Sequence, residues 1–76
     1  MKKVKVYSTP TCPWCHRAKD YLAKKSVQFE DIDVTKSPDK ANEMVKLSGQ
    51  RGVPVIVVDN EVIIGFDQAK LDKLLS

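Results

Sequence analysis

The chain has 76 residues, of which 42% are hydrophobic and 30% are charged. This length supports one small hydrophobic core, so we expect a single domain over residues 1–76. A formal net charge of +3, carried by dispersed lysines, is too small to indicate a nucleic-acid-binding surface. The apolar runs are too short for a membrane span, which excludes an integral membrane protein.

Two strand patterns flank a helical pattern in the first half of the chain. Lys3–Tyr7 alternates with period two and predicts a strand. Residues 13–25 place apolar side chains at helical spacing and predict an amphipathic helix. Residues 27–34 alternate again, but the phase shifts at Glu30-Asp31, so we expect a bulge or an early end to this strand. Because a helix connects the two strands, they are expected to be parallel.

A second helix is predicted after residue 37. Ser37 is a suitable N-cap, and Pro38 follows it at the first helical position, where a missing N–H costs nothing. Gly49 suits the C-cap. The apolar stripe expected to face the core consists of Ala41, Met44, Val45 and Leu47.

A buried strand, a hairpin and a last helix are predicted in the remaining segment. Residues 53–58 form a nearly unbroken apolar run, which is typical of a strand buried on both faces. Asp59-Asn60 suits a tight turn into a partner strand over Glu61–Ile64. Asp67 is the expected N-cap of the last helix, whose inward face carries Leu71, Leu74 and Leu75. The resulting order, β-α-β-α-β-β-α, predicts an α/β fold with a four-stranded mixed sheet flanked by helices.

The N-terminal residues bear on where the protein acts. Met1-Lys2-Lys3 is similar to the start of a signal sequence, but no apolar segment follows, because the apolar run breaks at Ser8. We therefore expect a cytoplasmic protein. In a reducing compartment, a closely spaced cysteine pair is typical of redox or metal chemistry rather than of a structural disulfide.

Cys12 and Cys15 are the two cysteines of the chain, and they lie between the first predicted strand and the first predicted helix. Pro13 favours the first helical position, so Cys12 is the predicted N-cap. Its sulfur is expected to accept hydrogen bonds from the backbone N–H groups of Trp14 and Cys15, which favours the thiolate. Cys15 lies one turn later on the apolar face, so we expect it to be buried and protonated.

This asymmetry predicts a thiol–disulfide exchange pair. Cys12 attacks a substrate disulfide, and Cys15 then resolves the mixed disulfide and leaves an internal Cys12–Cys15 disulfide. Trp14, at the exposed helix tip, is expected to contact partner proteins. The three polar residues that follow are interpreted chiefly as exposed helix residues: His16, Arg17 and Lys19. Assistance in proton transfer stays open for His16, and a small positive electrostatic contribution at the thiolate stays open for Arg17 and Lys19. Carboxylates at a strand end more often cap the next turn, and we expect this of Asp31 and Asp33 rather than acid catalysis.

Three segments together resemble the glutaredoxin branch of the thioredoxin-fold family. Thr11-Cys12-Pro13-Trp14-Cys15 is similar to the family's T-C-P-Y-C, with Trp in place of Tyr. Gly52-Val53-Pro54 is similar to a T-V-P segment that carries a cis-proline, and Gly65-Phe66-Asp67 to a segment that binds substrate backbone. The resemblance implies a thioredoxin-like fold, in which Thr11, Pro13 and Trp14 support the cysteines. It also implies a substrate groove formed by Val53, Pro54, Gly65, Phe66 and Asp67.

Two departures from the family pattern concern glutathione. Many glutaredoxins have a Lys where this chain has Thr9, and a Gly-Gly pair where it has Ile64-Gly65. Gly65-Phe66 is instead similar to small glutaredoxin-like redoxins, which donate electrons to ribonucleotide reductase and are recharged by thioredoxin reductase. The resemblance implies a monomer without a bound cofactor that reduces protein disulfides. Glutathione stays open as a reductant or substrate, because Asp67 and Val53 are retained.

Two other functions use the same cysteine pair. A Cu(I) chaperone of this length also places C-x-x-C after its first strand, but its order is β-α-β-β-α-β and it ends on a strand, whereas this chain is expected to end on a helix. A glutathione-dependent iron–sulfur carrier is the second alternative, and Thr9 and Ile64 weaken the glutathione site that it needs. A zinc site would need four ligands, and the soft donors nearby are Cys12, Cys15 and His16, so no metal site is predicted.

Overall fold

A computed structural model describes residues 3–75 of the chain, and its element order is the predicted β-α-β-α-β-β-α. No helix within these residues combines the length and apolar character needed to cross a bilayer. The elements are β1 (Val4–Ser8), α1 (Pro13–Lys24), β2 (Glu30–Asp33), α2 (Pro38–Ser48), β3 (Val55–Val58), β4 (Glu61–Ile64) and α3 (Gln68–Leu75).

The four strands form one mixed sheet in the order β2-β1-β3-β4. β1 pairs with β2 in parallel, as predicted for strands joined by a crossover helix. β3 runs antiparallel to β1 and places Val55 opposite Tyr7. β4 returns antiparallel to β3 through the predicted turn at residues 59–60, where Asp59 has a φ of 53°. The observed order is not that of a copper chaperone, because the chain continues from β4 into α3.

The hydrophobic core lies in two clusters on opposite faces of the sheet. One face packs against α1 and α3, and its cluster joins Val4, Val6, Ala18, Leu22, Ile56, Val58, Ile63 and Leu71. The other face packs against α2, and its cluster joins Tyr7, Ile32, Met44, Val55 and Val57. Both clusters draw on β1 and β3, which explains why residues 55–58 are buried at every position.

The strand predicted over residues 27–34 is shorter in the structure, because β2 begins only at Glu30. Val27 and Phe29 pack against the cluster under α1 and α3, whereas Ile32 and Val34 belong to the cluster under α2. Because side chains alternate between the two faces of a strand, odd-numbered and even-numbered residues of this segment point to opposite faces. The phase shift in the sequence therefore marks the point where the chain changes from one core to the other.

Three further expectations about element boundaries and burial are corrected by the structure. α1 ends at Lys24, one residue before the predicted end, and β3 begins at Val55 rather than at Val53. Pro54 has no N–H to donate to a neighbouring strand, so the ladder starts after it. In α2, Met44 is buried but Leu47 is 43% exposed, so the apolar stripe is narrower than predicted. The predicted caps are confirmed: Ser37 Oγ accepts a hydrogen bond from Lys40 N–H, and Gly49 has a φ of 75°.

Candidate redox site

Cys12 occupies the N-cap of α1, as predicted. Its backbone is extended, with a φ of −94° and a ψ of 109°, and Pro13 takes the first helical position. The N–H of Cys15 donates a hydrogen bond to Cys12 Sγ at 3.2 Å. The N–H groups of Trp14 and Cys15 were both predicted to donate to this sulfur. Among the hydrogen bonds of residues 3–75, the one from Cys15 is present and one from Trp14 is not, so the prediction for Trp14 is wrong. The sulfur is partly exposed and lies at the positive end of the helix dipole.

Cys15 has the opposite environment. Its side chain is completely buried in the α1 face that also carries Ala18 and Leu22. Burial raises the pKa of the Cys15 thiol to about 11, and the neighbouring Cys12 sulfur adds to the rise. A backbone hydrogen bond from Thr9 and the charge of Lys19 oppose this rise of the pKa. Neither cysteine is in a disulfide. The raised pKa of Cys15 favours the protonated thiol at neutral pH, as predicted.

Trp14 lies between the two cysteines and is 55% exposed. The guanidinium carbon of Arg17 lies 4.8 Å from the centroid of its ring, a cation–π contact. Arg17 therefore holds the indole on the outside of the helix. The expected exposure of Trp14 is confirmed, and the stacking of Arg17 was not anticipated from the sequence.

The two segments expected to bind substrate are adjacent in the structure. The Val53–Pro54 peptide bond is cis, as the resemblance implied. The N–H of Gly65 donates to the carbonyl of Pro54 at 2.8 Å, and Gly65 has a φ of 79°, which favours glycine. Since Val55 pairs with Tyr7 near the end of β1, Pro54 lies at the same end of the two central strands from which the chain continues to Cys12.

Asp67 and Phe66 differ in what they present to solvent. Asp67 is exposed and caps α3 through a hydrogen bond of 3.1 Å from the N–H of Lys70 to its Oδ1. The Phe66 ring is partly buried and packs edge-on against Tyr21, with 5.6 Å between the ring centroids. Tyr21 Oη also donates a hydrogen bond to Asp72, which ties α1 to α3. The Phe66 side chain thus anchors the segment, while the expected contact of this segment with substrate stays a prediction.

The remaining residues near the pair fall into exposed and paired groups. Thr11, Pro13 and Arg51 are exposed, and His16 Nε2 lies 3.1 Å from the carbonyl oxygen of Pro10. Asp33 caps the next turn as predicted, since its Oδ1 accepts from the N–H and hydroxyl of Thr35, which lowers the pKa of the carboxyl.

Asp31 does not cap a turn. Its Oδ2 lies 3.0 Å from Lys19 Nζ, and its Oδ1 accepts a hydrogen bond of 3.0 Å from the hydroxyl of Ser8. The Lys19 side chain is only 20% exposed, so it is not the solvated residue that the sequence suggested. Ser8, Lys19 and Asp31 form a polar cluster. Their spacing in the sequence does not indicate it, because the three residues lie on β1, α1 and β2. Within residues 3–75, no three His, Cys, Asp or Glu side chains are grouped to hold a metal ion.

The comparison with protein families identifies the class of this site. The glutaredoxin family profile matches residues 4–63. The chain belongs to the glutaredoxin family. It is 49% identical over 72 residues to an uncharacterized glutaredoxin-like 8.6 kDa protein in a rubredoxin operon of Clostridium pasteurianum, a match that covers 95% of this chain and 96% of that protein. It is 42% identical over 67 residues to glutaredoxin 3 of Escherichia coli K12, covering 88% of this chain and 81% of that protein.

The fold is also that of solved members of the group. The glutaredoxin-like NrdH-redoxin of Escherichia coli, whose structure was studied for its thioredoxin-like activity profile, superposes with a TM-score of 0.85 at 25% identity. The superposition covers 95% of this chain and 93% of that protein. Membership of the glutaredoxin family supports a thiol–disulfide redox function, and the predicted thioredoxin-like fold is confirmed.

Proposed function

We propose that this protein is a dithiol oxidoreductase that reduces protein disulfides as an electron donor. The observation that carries the proposal is the contrast between its two thiols. Cys12 Sγ is partly exposed at a helix N-terminus and accepts a hydrogen bond from the N–H of Cys15, whereas the Cys15 side chain is completely buried. A substrate disulfide therefore reaches Cys12 first, and Cys15 is shielded until a mixed disulfide has formed beside it.

The reaction takes place in two exchanges. The Cys12 thiolate attacks one sulfur of the substrate disulfide, so that a Cys12–substrate bond forms, the substrate S–S bond breaks, and the departing sulfur leaves as a thiolate that takes a proton from water. Cys15 then loses its proton to water and attacks Cys12 Sγ. The second substrate sulfur leaves with the bonding electrons and is protonated in turn. The substrate has gained two electrons and two protons, and the protein is left with a Cys12–Cys15 disulfide.

In this proposal an extended peptide of the substrate binds beside Cys12. The backbone of Val53 is proposed to pair with this substrate segment as an added strand. The support is that Val53 precedes β3 at the end of the central strands from which the chain continues to Cys12. The Gly65–Pro54 hydrogen bond joins the two segments proposed to bind this peptide, and Asp67 is exposed at the start of α3. Trp14, exposed above the cysteine pair, provides apolar contact area for a folded protein substrate.

Thioredoxin reductase is the proposed source of electrons, and ribonucleotide reductase is the proposed class of target. Thr9 supplies no cation for a glutathione carboxylate, where a Lys would form a charge-assisted pair. Ile64 stands where many glutaredoxins have a glycine and is 57% exposed, so in this proposal its side chain would crowd a glutathione molecule bound at this segment. The likeness to NrdH-redoxin, a glutaredoxin-like protein with a thioredoxin-like activity profile, supports thioredoxin reductase as the source of electrons. In this proposal the protein acts in the cytoplasm without a resident cofactor, and glutathione is an alternative reductant or substrate.

The roles of the cysteines are tested with two variants and a disulfide-bonded protein substrate such as insulin. Cys12→Ser is expected to abolish reduction, because the first exchange has no nucleophile. Cys15→Ser is expected to accumulate a mixed disulfide with the substrate, which mass spectrometry detects. Full turnover by Cys15→Ser without glutathione would contradict the assigned roles.

The source of electrons is tested by following NADPH oxidation with two recharging systems. One assay contains thioredoxin reductase, and the other contains glutathione and glutathione reductase. We expect turnover with thioredoxin reductase. Activity confined to the glutathione system would overturn the proposed pathway and leave the dithiol chemistry in place.

A further inference from the structure

Lys19 lies beside the buried thiol that the second exchange must activate. It follows Cys15 by one helical turn, so its Cβ lies about 5–6 Å from that of Cys15 on the same side of α1. Its side chain is only 20% exposed, and Nζ is held 3.0 Å from Asp31 Oδ2. Asp31 is held in turn by the buried hydroxyl of Ser8, which donates to Oδ1 at 3.0 Å. The long, flexible lysine side chain is thereby fixed in one place.

The second exchange needs a negative charge on a sulfur that the protein has buried. Burial disfavours that charge, and in the free dithiol the Cys12 sulfur disfavours it further. When Cys12 is bound in a mixed disulfide, its own charge is gone, but the cost of burial remains. The groups that act in favour of the Cys15 thiolate are the Thr9 backbone and the Lys19 ammonium group.

We propose that Lys19 is a positioning residue for the resolving exchange: held beside Cys15 by Asp31, its ammonium group stabilises the negative charge that develops on Cys15 Sγ as this sulfur attacks Cys12. The inference rests on the dithiol mechanism proposed above. In that step the Cys15–Cys12 bond forms, the bond from Cys12 to the substrate sulfur breaks, and the substrate sulfur leaves with the electron pair. Lys19 keeps all its protons throughout.

The ion pair between Lys19 and Asp31 permits a test in which charge and structure have different consequences. Lys19→Met and Asp31→Asn both break the ion pair, so a merely structural role predicts the same effect for both. An electrostatic role predicts different effects, because Lys19→Met removes the cation while Asp31→Asn removes the anion that partly neutralises it. The amide introduced by Asp31→Asn also keeps an oxygen that accepts the Ser8 hydrogen bond.

The reaction with dithiobis(nitrobenzoate), followed by stopped-flow absorbance, separates the two exchanges. The first release of thionitrobenzoate reports the attack by Cys12 and depends on reagent concentration. The second release reports the attack by Cys15 on the mixed disulfide and is independent of that concentration. Cys12→Ser is expected to lose the first phase, and Cys15→Ser to lose the second; retention of the fast phase in Cys12→Ser would refute the proposed function rather than the role of Lys19.

For Lys19→Met we expect a slower second phase at neutral pH. Each unit by which the Cys15 pKa rises lowers the thiolate fraction tenfold, while the more basic thiolate is about threefold more nucleophilic, so the rate falls about threefold per unit. Lys19→Arg is expected to restore the rate. Asp31→Asn is expected to slow the second phase less than Lys19→Met does, because the variant loses the group that holds Lys19 but keeps the cation and loses a neutralising anion. Lys24→Met, which removes an exposed cation from the last turn of the same helix, is the matched control and is expected to change neither phase.

Two results would overturn the inference. One is an unchanged second phase in Lys19→Met, and the other is an equal slowing in Lys19→Met and Asp31→Asn. Thermal melting of each variant establishes that it is folded, and Lys19→Gln replaces Lys19→Met in the comparison if the latter does not fold.

Discussion

The proposed nucleophile is also the cap of the helix that carries the resolving thiol, and substitutions at Cys12 separate these two roles. Cys12→Ser and Cys12→Ala both remove the reactive sulfur. Serine retains an acceptor for the Cys15 N–H, whereas alanine leaves that N–H without its partner. We therefore predict that the two variants are equally inactive but differ in stability, with Cys12→Ala the less stable.

The size of the difference follows from one N-cap hydrogen bond. Replacing a capping side chain by alanine costs about 1 kcal/mol, within a range of roughly 0.5–2 kcal/mol. For a domain of this size, 1 kcal/mol corresponds to about 4–8 °C in melting temperature. With a urea m-value of about 1–2 kcal/mol/M, it corresponds to a decrease of about 0.5–1 M in the unfolding midpoint. Because α1 contributes Cys15, Ala18 and Leu22 to the core, weakening its first turn is expected to affect global unfolding.

Urea unfolding in the presence of a reductant, followed by circular dichroism, measures the effect. Ser37→Ala is the matched calibration, because Ser37 caps α2 through the same kind of hydrogen bond, from Lys40 N–H at 3.4 Å. Both alanine variants should lose stability to a similar extent, and Cys12→Ser should remain near the reduced parent protein. Equal midpoints for Cys12→Ala and Cys12→Ser would refute the idea that this position stabilises the helix.

Three further predictions concern burial and exposure. The pKa of Cys15 in the folded protein, about 11, lies above the ordinary value of about 8.5. Burial of the neutral thiol therefore contributes its full stability below about pH 8.5, and this contribution is lost as the pH rises towards 11. The urea midpoint of the reduced protein should fall over this pH window, and it should fall less in Cys15→Ala. Leu22→Ala, at a fully buried position, should lower the free energy of unfolding by about 2–5 kcal/mol in urea. Leu47→Ala, at a 43% exposed position, should lower it by less than about 0.5 kcal/mol. Similar values for both variants would contradict the packing described. Trp14→Ala should raise KM for a protein disulfide, because the exposed indole is proposed to contact the protein substrate. The melting temperature and the rate of hydroxyethyl disulfide reduction should not change. An equal loss of activity on both substrates would argue against a protein-contact role.

Features that depend on neighbouring residues in the chain were predictable from the sequence. The caps at Cys12, Ser37 and Gly49 follow from which side chains and backbone angles a helix end accepts, and all three are confirmed. Element order and the parallel pairing of the first two strands follow from hydrophobic period and from the crossover rule. The contrast between the two thiols was also accessible, because it depends on a cap and on one helical turn.

Features that depend on packing between distant segments were not predictable. A helical stripe indicates which side chains share a face, but not how far the sheet extends beneath them, which is why Leu47 proved exposed. The ion pair of Lys19 with Asp31 joins residues 12 apart in sequence on different elements. From the sequence alone, both look like ordinary surface charges, and only the parallel placement of β2 beside β1 brings Asp31 towards α1.

The spacing of the two cysteines explains why their roles are not interchangeable. Since Cys12 is the N-cap and Pro13 is the first helical residue, Cys15 is the third, and an N-cap side chain accepts from the N–H of the second or third residue. The backbone of Cys15 therefore stabilises charge on Cys12 Sγ, while its own side chain points into the core and gains nothing equivalent. The buried sulfur must receive its compensation from other elements, namely from Thr9 before the helix and from Lys19, held in place by β2. The first exchange thus depends on local helix geometry, and the second depends on tertiary structure.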